Sequence, residues 1–583
     1  MKQCIIVLFL ALTVSTQPPY DYSVDDLKSR LPEPVLTDNP EWVDLYFKAW
    51  EIFTDRIKKA PSGSPFVEYF IDEAFSEYIY QWDTCLMLFF ARYGFHMFPT
   101  IVSLDNFYRI QHSNGYICRE PSEKTGECLC YKGCENSINP PIFSWAELGH
   151  FQMTGDASRF SRKVRSVKDN SEKTVLQRLI DYNNWIDANR NSPEGLYWNT
   201  PLGCGLDNSP RSGSSWICMS AQMALNARCI ARIARVVGHD ATAAAFEAKH
   251  ASLTKTINEK MWDDGDGFYY DIDGNNFKKV KTIASVWPMV AGVTDSRKSE
   301  ALVKHLTNPN EFQRTHVFPT LAASENGYDP NGGYAKGSVL ASTNYQAVKG
   351  LEVCGFDSLA RAAAMNHIHN IYQVFKKTGT IWENYAPDNV DRGNPSKPDF
   401  VGWSGCGPIA LLIENIIGLT VDAPRKTIRW RITRIDEHGI ENLRCGSNSV
   451  SLVCTKRSGR DASPGIAIET KEKLQLEVIA AGTSNKKSFE AGSYKWDVDN
   501  TTLIRGNDLP DNGKDGQIRT VTTMGTHMLS HWERREGAAP DFSVYNLQGQ
   551  FLFRIPAGAT LTEAGRIMSE KGTGTRGILF VKN

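Results

Sequence analysis

The sequence lacks an excess of either charge. Its 583 residues include 65 Lys and Arg against 66 Asp and Glu, which gives a formal net charge of −1 at pH 7. Proteins that bind nucleic acid or anionic membranes through bulk charge carry clustered excess Lys and Arg. The balanced composition therefore argues against a nucleic acid partner.

Long apolar runs are missing beyond the N-terminus. Segment 5–14 is mainly apolar, follows Lys2 and precedes small residues, and about ten helical residues are too short to cross a bilayer. This layout is typical of a secretory signal peptide, which we predict over residues 1–17. No later segment is long and apolar enough to span a membrane. We expect a secreted, periplasmic or cell-surface protein.

Metal-binding patterns are also scarce. His96, His112, His150 and His316 are scattered along the chain, and the cysteines at 118, 128, 130 and 134 lack the paired CxxC spacing of structural zinc sites. We therefore expect no metal and no cofactor. In an exported protein this cysteine-rich loop is expected to form disulfides, with free thiols or zinc as the alternatives.

What the chain has in quantity is hydrophobic and aromatic residues. They make up 41% and 11% of the sequence, with 14 Trp, so the chain can bury a large core and is not disordered. Apolar spacing of three and four predicts helical hairpins over 216–261 and 338–377, broken at Gly238 and Gly355. Paired helices joined alternately by short and long loops suggest an α/α toroid, whose long loops build a pocket at one end.

The composition changes after residue 420. Alternating or apolar runs at 426–432, 449–453 and 474–479 predict strands of a small β-sandwich over 421–505. Polar and Gly-rich composition predicts a linker over 506–539, followed by a short β-rich tail over 540–583. The first domain then covers 18–420, and the fold class is mainly α.

Four loop segments of the helical region combine acids or amides with aromatic residues. They are 80–84, 197–211, 337–345 and 382–408. Sugars need this combination, because their C–H faces stack on aromatic rings and their hydroxyl groups bond to carboxylates and amides. We therefore expect a carbohydrate partner.

Two acids in these loops are candidates for cleaving a glycosidic bond. The reaction needs one protonated carboxyl group for the leaving oxygen and one ionised group to activate water or attack the sugar. Asp207 has Gly and apolar neighbours that could raise its pKa, as an acid requires. Glu383, in a turn between Trp382 and Asn384, suits a base.

Structural interpretations of the same residues remain open at this point. Asp207 can order the loop before the helix that starts near residue 216, and Glu383 can be a surface glutamate. Trp82 and Trp403 can be core residues, because large aromatic side chains dominate helical cores. Asp83 can belong to a hydrogen-bond network beside Trp82.

The motifs LDNSPR at 206–211, WENY at 382–385, QWDT at 81–84 and GWSG at 402–405 together resemble glycoside hydrolase family 63 and its mannosylglycerate-hydrolase-like relatives. Trehalases are more distantly similar, and the likeness covers residues 40–420. It implies an (α/α)6 barrel and inverting hydrolysis of an α-glycoside, with Asp207 as the acid and Glu383 as the base. The residues implied to line the sugar subsite are Trp82, Asp83, Asn208, Arg211, Trp382, Asn384 and Trp403.

The tail carries a second resemblance. The segments FSVYNLQGQ at 542–550 and GILFVKN at 577–583 resemble the C-terminal sorting modules of bacterial type nine secretion systems. This likeness implies that the secretion machinery is a partner of the tail. An ordinary final hairpin is the alternative.

The preferred hypothesis is an exported inverting α-glycosidase that acts on α-linked glucosides or mannosides in oligosaccharides or polysaccharide fragments. One alternative is a catalytically inactive carbohydrate-binding protein on the same scaffold. Another is a polysaccharide lyase or a phosphorylase. The presence of both Asp207 and Glu383 argues against the inactive protein, and no cluster of His, Tyr and Arg in the loops supports a lyase.

Overall fold

The computed structural model describes residues 20–73, 76–130, 132, 134–480 and 482–498, together with the backbone of three strands beyond residue 541. The predicted signal peptide over 1–17 and the predicted linker over 506–539 lie outside the described residues.

Helices dominate the chain up to residue 417. The α-helices are α1 (Val24–Arg30), α2 (Pro40–Thr54), α3 (Gln81–Ala91), α4 (Asp105–Arg109), α5 (Phe143–Thr154), α6 (Ser158–Ser161), α7 (Val175–Asn189), α8 (Ile217–Val236), α9 (Asp240–Lys260), α10 (Trp287–Val290), α11 (Ser296–Leu306), α12 (Ala341–Val353) and α13 (Asp357–Thr378). A π-helix over Gly407–Ile417 follows them.

The helices form the predicted toroid of paired helices. Helices α8 and α9 pack as a hairpin, and so do α12 and α13, which confirms the two predicted hairpins. In the first hairpin, α8 buries most of its residues, whereas α9 buries a single stripe spaced by three, four and seven residues: Ala243, Phe246, His250, Leu253 and Ile257. An almost fully buried helix beside a one-sided helix is the arrangement expected of inner and outer layers.

Short strands lie between the helices. They are β1 (Glu33–Leu36), β2 (Ile57–Lys59), β3 (Tyr69–Ile71), β4 (Lys163–Arg165), β5 (Glu172–Thr174), β6 (Trp262–Asp263), β7 (Phe268–Tyr269), β8 (Asp271–Asp273) and β9 (Asn276–Lys278). The four pairs β2 with β3, β4 with β5, β6 with β7 and β8 with β9 are antiparallel.

The strands after the helices form two sheets. They are β10 (Leu419–Asp422), β11 (Thr427–Arg431), β12 (His438–Cys445), β13 (Asn448–Cys454), β14 (Gly465–Thr470), β15 (Leu474–Ala480), β16 (Thr483–Phe489) and β17 (Gly492–Asp497). One sheet has the order β1-β12-β13-β14-β17 and the other β10-β11-β15-β16. All neighbours are antiparallel except β11 and β15. The three strands predicted from the sequence are confirmed as β11, β13 and β15.

The N-terminal strand β1 pairs with β12, about 400 residues later in the chain. The sequence pattern did not indicate this strand, because it has only four residues and contains Pro34. The helical region and the sheets also share one continuous hydrophobic core. Trp430 of β11 is fully buried there, and its ring N–H donates to the carbonyl of Ile417 at 2.9 Å, where the π-helix ends. The sheets are therefore anchored directly to the helices.

Three further strands follow near the C-terminus. They are β18 (Phe542–Asn546), β19 (Phe551–Ile555) and β20 (Ile578–Lys582), and they form an antiparallel sheet of order β19-β18-β20. In the part of the chain that the structure describes, no helix has the length and apolar character needed to cross a membrane.

Candidate active site

Asp207 lies in the loop between a short 3₁₀ turn at Pro201–Gly203 and the start of α8. Its side chain is reached by solvent, yet protein atoms surround it closely, as in a concave surface. This partial loss of water raises the pKa of Asp207 to about 6, while Arg119 lowers the pKa and Asp83 raises it. The raised pKa expected from the sequence is thus present.

The Asp207 loop lies against the start of α3. Gly205 has a φ of +73°, and a Cβ atom there would sit 3.2 Å from the indole ring of Trp82. A side chain at this position would be conformationally strained and would press on Trp82. Trp82 is 6% exposed, so it occupies a core position, and its ring also lies against Gly205, two residues before the candidate acid.

Glu383 lies five residues beyond the C-terminus of α13 and is 8% exposed. Its Oε2 accepts a hydrogen bond from the backbone N–H of Lys397 at 3.2 Å, and its own backbone N–H donates to the carbonyl of Lys397 at 2.9 Å. Burial raises the pKa of Glu383, while the charge of Lys397, its backbone N–H and a hydrogen bond from Tyr334 oppose that rise. These contacts stabilise the ionised form against the effect of burial.

Tyr334 is hydrogen-bonded to Glu383 and lies near the other acids of the site. Its backbone is left-handed, with a φ of +59°. Burial raises the pKa of Tyr334 well above its ordinary value, and the charges of Glu383, Asp207, Asp83 and Glu73 add to that rise. The Tyr334 hydroxyl group is therefore within electrostatic reach of four carboxyl groups. Tyr334 was not selected from the sequence, because the loop segment considered there starts at Gly337. The adjacent glycines Gly332 and Gly333 could have indicated a turn just before Tyr334.

Asn208 holds the Tyr334 loop in place. Its Nδ2 donates to the carbonyl of Gly333 at 2.9 Å, and its Oδ1 accepts from the backbone N–H of Ala335 at 2.8 Å. These two bonds flank Tyr334 and join its loop to the residue after Asp207. The predicted contact of Asn208 with a sugar stays a prediction.

Asp83 lies in the first turn of α3 and is 6% exposed. Its carboxyl group is hydrogen-bonded to that of Glu73, which is equally buried. Burial raises the pKa of Asp83, whereas the bond from Glu73 and the charge of Arg119 lower it. Asp83 thus belongs to a hydrogen-bond network and also faces the other acids of the site.

Trp403 joins this network to Glu383. Its ring N–H donates to the carbonyl of Glu383 at 3.0 Å, and its backbone N–H donates to Oε2 of Glu73 at 3.3 Å. Trp403 is 7% exposed and packs at 4.8 Å, between ring centroids, on Phe400.

Arg211 and Asn384, which are also predicted to line the sugar subsite, form hydrogen bonds to other residues of the protein. Arg211 donates through Nε and Nη2 to Asp271, and its Nη1 contacts the thiol of Cys218. Asn384 is fully buried, and its Nδ2 donates to the carbonyl of Pro395 at 3.0 Å. Their predicted contacts with a sugar stay predictions and would require some of these bonds to be exchanged.

Trp382 is partly exposed beside the base. Its ring N–H donates to Oγ1 of Thr378 at 3.0 Å, and the guanidinium of Arg392 lies 4.8 Å from its ring centroid. The indole is therefore held in orientation from both sides, and its role in stacking on a sugar stays a prediction.

Arg119 is a second residue that the sequence motifs did not indicate. It is 7% exposed, and its Nη1 donates to the carbonyl of Leu202, just before the Asp207 loop. A disulfide between Cys118 and Cys128 holds the chain next to it, which confirms a disulfide in the predicted loop. Cys130 and Cys134 are free thiols. Within the described residues no group of three His, Cys, Asp or Glu side chains could hold a metal ion.

Comparison with known proteins adds independent information. Residues 132–404 match the family model of the mannosylglycerate hydrolase MGH1-like glycoside hydrolase domain. The chain is 30% identical over 432 residues to an uncharacterized protein of Borreliella burgdorferi, covering 71% of this chain and 88% of that protein.

Two further similarities are more distant. A probable mannosyl-oligosaccharide glucosidase of Schizosaccharomyces pombe is 21% identical over 264 residues, which is 41% of this chain and 32% of that protein. A solved structure of a sialidase is similar in fold, with a TM-score of 0.56 and 13% identity over 76% of this chain and 40% of that one.

Proposed function

Because this chain belongs to the mannosylglycerate hydrolase MGH1-like family of glycoside hydrolases, we propose that it hydrolyses α-linked glucosides or mannosides in oligosaccharides or polysaccharide fragments, with inversion at the anomeric carbon. The observation that carries the proposal is the pair of carboxyl groups, Asp207 and Glu383, which both act electrostatically on Tyr334 and differ in their hydrogen-bond partners. Burial raises the pKa of both acids, but at Glu383 two hydrogen-bond donors, the backbone N–H of Lys397 and the Tyr334 hydroxyl group, oppose the rise and favour the ionised form.

Asp207 has the properties of the general acid. A pKa of about 6 keeps a useful fraction of its carboxyl group protonated near neutral pH, and solvent access leaves room for a substrate. In this role its proton passes to the glycosidic oxygen as the bond from that oxygen to the anomeric carbon breaks.

Glu383 has the properties of the general base. Its carboxylate takes a proton from a water molecule, and the water oxygen forms the new bond to the anomeric carbon from the face opposite the leaving group. The N–H of Lys397 and the Tyr334 hydroxyl group orient this carboxylate. An acid about 6.5–9.5 Å from the base leaves the space that this water needs.

We propose neutral sugars as the substrates. Four carboxyl groups act electrostatically on Tyr334, and the positive charges that act on them belong to Arg119 and Lys397. The glucosidase relative, whose printed name refers to a mannosyl-oligosaccharide, supports a neutral substrate of this kind.

A substrate screen tests the proposal. Aryl α-glucosides and α-mannosides, α-linked disaccharides and mannosylglycerate are incubated with the protein, and released sugar is measured. We expect release from a neutral α-glucoside or α-mannoside. Exclusive cleavage of mannosylglycerate would refute the proposal of a neutral substrate, and no release in the presence of tight binding would favour an inactive carbohydrate-binding protein.

We also propose that the protein is exported and that its tail is read by secretion machinery. The apolar segment 5–14, the Cys118–Cys128 disulfide and the three-stranded sheet of β18, β19 and β20 support this. The test is N-terminal sequencing of the protein from its native source and cell fractionation with and without residues 540–583. Retention of residue 1 in a cytoplasmic fraction would contradict the proposal.

A further inference from the structure

Glu73 is a buried acid of the site that has no role in the glycosidase mechanism proposed above. It lies two residues beyond β3 and is 6% exposed. Its charge is felt by Tyr334, and the charge of Glu383 acts on it in turn. It therefore lies beside the candidate catalytic groups without being one of the proposed pair.

Three elements meet at the Glu73 carboxyl group. One oxygen, Oε2, accepts the backbone N–H of Trp403, and the carboxyl group is hydrogen-bonded to that of Asp83 at the start of α3. The contact is tight, because a Cβ atom on Gly402 would lie 1.9 Å from Oε2. Only glycine fits at 402 while Glu73 keeps this position.

A hydrogen bond between two carboxyl groups requires a proton on one of them. Burial raises the pKa of both acids. At Glu73 the charges of Asp83, Asp72 and Glu383 add to the rise and take the pKa well above its ordinary value, whereas at Asp83 the bond from Glu73 and the charge of Arg119 oppose it. Glu73 therefore binds the shared proton more strongly, and Asp83 accepts. The proton on Glu73 also removes one negative charge from the four carboxyl groups that act on Tyr334.

We propose that Glu73 is a positioning residue of this active site, which retains a proton at neutral pH and uses it to join ionised Asp83 to the Trp403 turn. The ring of Trp403 then donates to the carbonyl of Glu383, so one neutral acid connects the Asp83 side of the site to the base. Loss of the proton would place two carboxylates in contact and separate these elements. The catalytic consequence rests on the proposed function, whereas the retained proton does not.

Two substitutions distinguish a proton-holding role from simple packing. Glu73→Gln keeps a donor for Asp83 and an acceptor for Trp403 in a side chain of the same shape, so kcat/KM should stay within about threefold of the wild type. Glu73→Leu keeps similar bulk but neither bond, and kcat/KM should fall by about 10²-fold, as expected when catalytic groups are misplaced by about 1 Å. The exposed Glu68, 72% exposed, provides the control Glu68→Gln, which should change nothing.

Two measurements without substrate test the proton itself. The infrared difference spectrum of wild type minus Glu73→Gln at pH 7.5 should show the carbonyl stretch of one protonated carboxylic acid. A group with a raised pKa in the folded state binds its proton more tightly than in the unfolded chain. The free energy of unfolding of the protein therefore falls as pH rises from about 4.3, the pKa in the unfolded chain, towards the folded pKa of Glu73. The unfolding temperature of the wild type should therefore fall relative to Glu73→Gln over this rise in pH, and Glu68→Gln should follow the wild type.

An absent acid band, or a pH-independent difference between wild type and Glu73→Gln, would overturn the proposal. Equal loss of activity in Glu73→Gln and Glu73→Leu would overturn it as well. If the Leu variant does not fold, a loss of kcat/KM well beyond threefold in Glu73→Gln is enough to overturn the proposal. A wild-type protein without glycosidase activity would contradict the proposed function only, because the spectrum and the unfolding curves require no substrate.

Discussion

The role of Asp207 can be separated from that of Glu383 by the choice of leaving group. Asp207→Asn keeps the shape of the side chain and removes its proton. If Asp207 is the acid, the variant should fail on α-linked disaccharides, whose leaving oxygen must be protonated, but should still cleave α-glycosyl fluorides, whose leaving group needs no proton. Glu383→Gln should fail on both substrates, because each reaction needs an activated water molecule.

The size of the effect follows from the proton and its pKa. General acid catalysis supplies about 10²–10⁴-fold, or about 3–5 kcal/mol of barrier, so Asp207→Asn should lose this much in kcat/KM on a disaccharide. With a pKa of about 6 instead of 3.8, the protonated fraction of Asp207 at pH 7 is about 10% instead of about 0.1%. The wild-type kcat/KM on a disaccharide should therefore decline above about pH 6, approaching tenfold per pH unit.

The assay is steady-state hydrolysis of both substrates by wild type, Asp207→Asn and Glu383→Gln from pH 4.5 to 8.5. Circular dichroism and thermal unfolding check that the variants are folded. The alkaline decline should be present for wild type on the disaccharide and absent for Asp207→Asn on the fluoride. Equal losses of Asp207→Asn on both substrates, or the same alkaline decline in the variant, would refute the acid assignment.

Three further outcomes are expected. Asn208→Ala removes both hydrogen bonds that flank Tyr334, so the free energy of unfolding in urea should fall by about 1–2 kcal/mol and kcat/KM should drop. Unchanged activity would contradict the role of Asn208 in holding the Tyr334 loop. Thiol titration of the denatured protein should find two more thiols after reduction than before, from Cys118 and Cys128, and equal counts would show that the loop is reduced. Proton NMR of the first product from an α-glycoside should show the β-anomer, and the α-anomer first would rule out Glu383 as an inverting base.

The parts of the fold that the sequence predicted correctly are those with a local signal. The helical hairpins α8–α9 and α12–α13 show three- and four-residue apolar spacing along one continuous segment, and the strands β11, β13 and β15 show short alternating or apolar runs. Strand β1 was missed, because its partner β12 is distant in the chain and its own pattern is too short.

The same distinction holds for the site. Asp207 and Glu383 could be proposed as catalytic residues because the glycine and aromatic residues around them are adjacent in sequence, and their motifs occur in the order typical of a known family. Sequence also placed Asn208 beside the acid, but its bonds reach residues about 125 positions away. Whether an amide meets a sugar or another loop depends on which loops the toroid brings together.

The amino-acid sequence by itself determined the fold class, the glycosidase chemistry and the two candidate catalytic acids, because each of these is encoded in short, contiguous patterns. Only the tertiary structure brought Glu73 and Tyr334 to those acids, across separations of about 50 to 310 residues. The protonation of a carboxyl group depends on its burial and on the charges around it, and those are set by packing. The electrostatic environments from which we propose an acid, a base and a positioning residue therefore arise only when the chain folds.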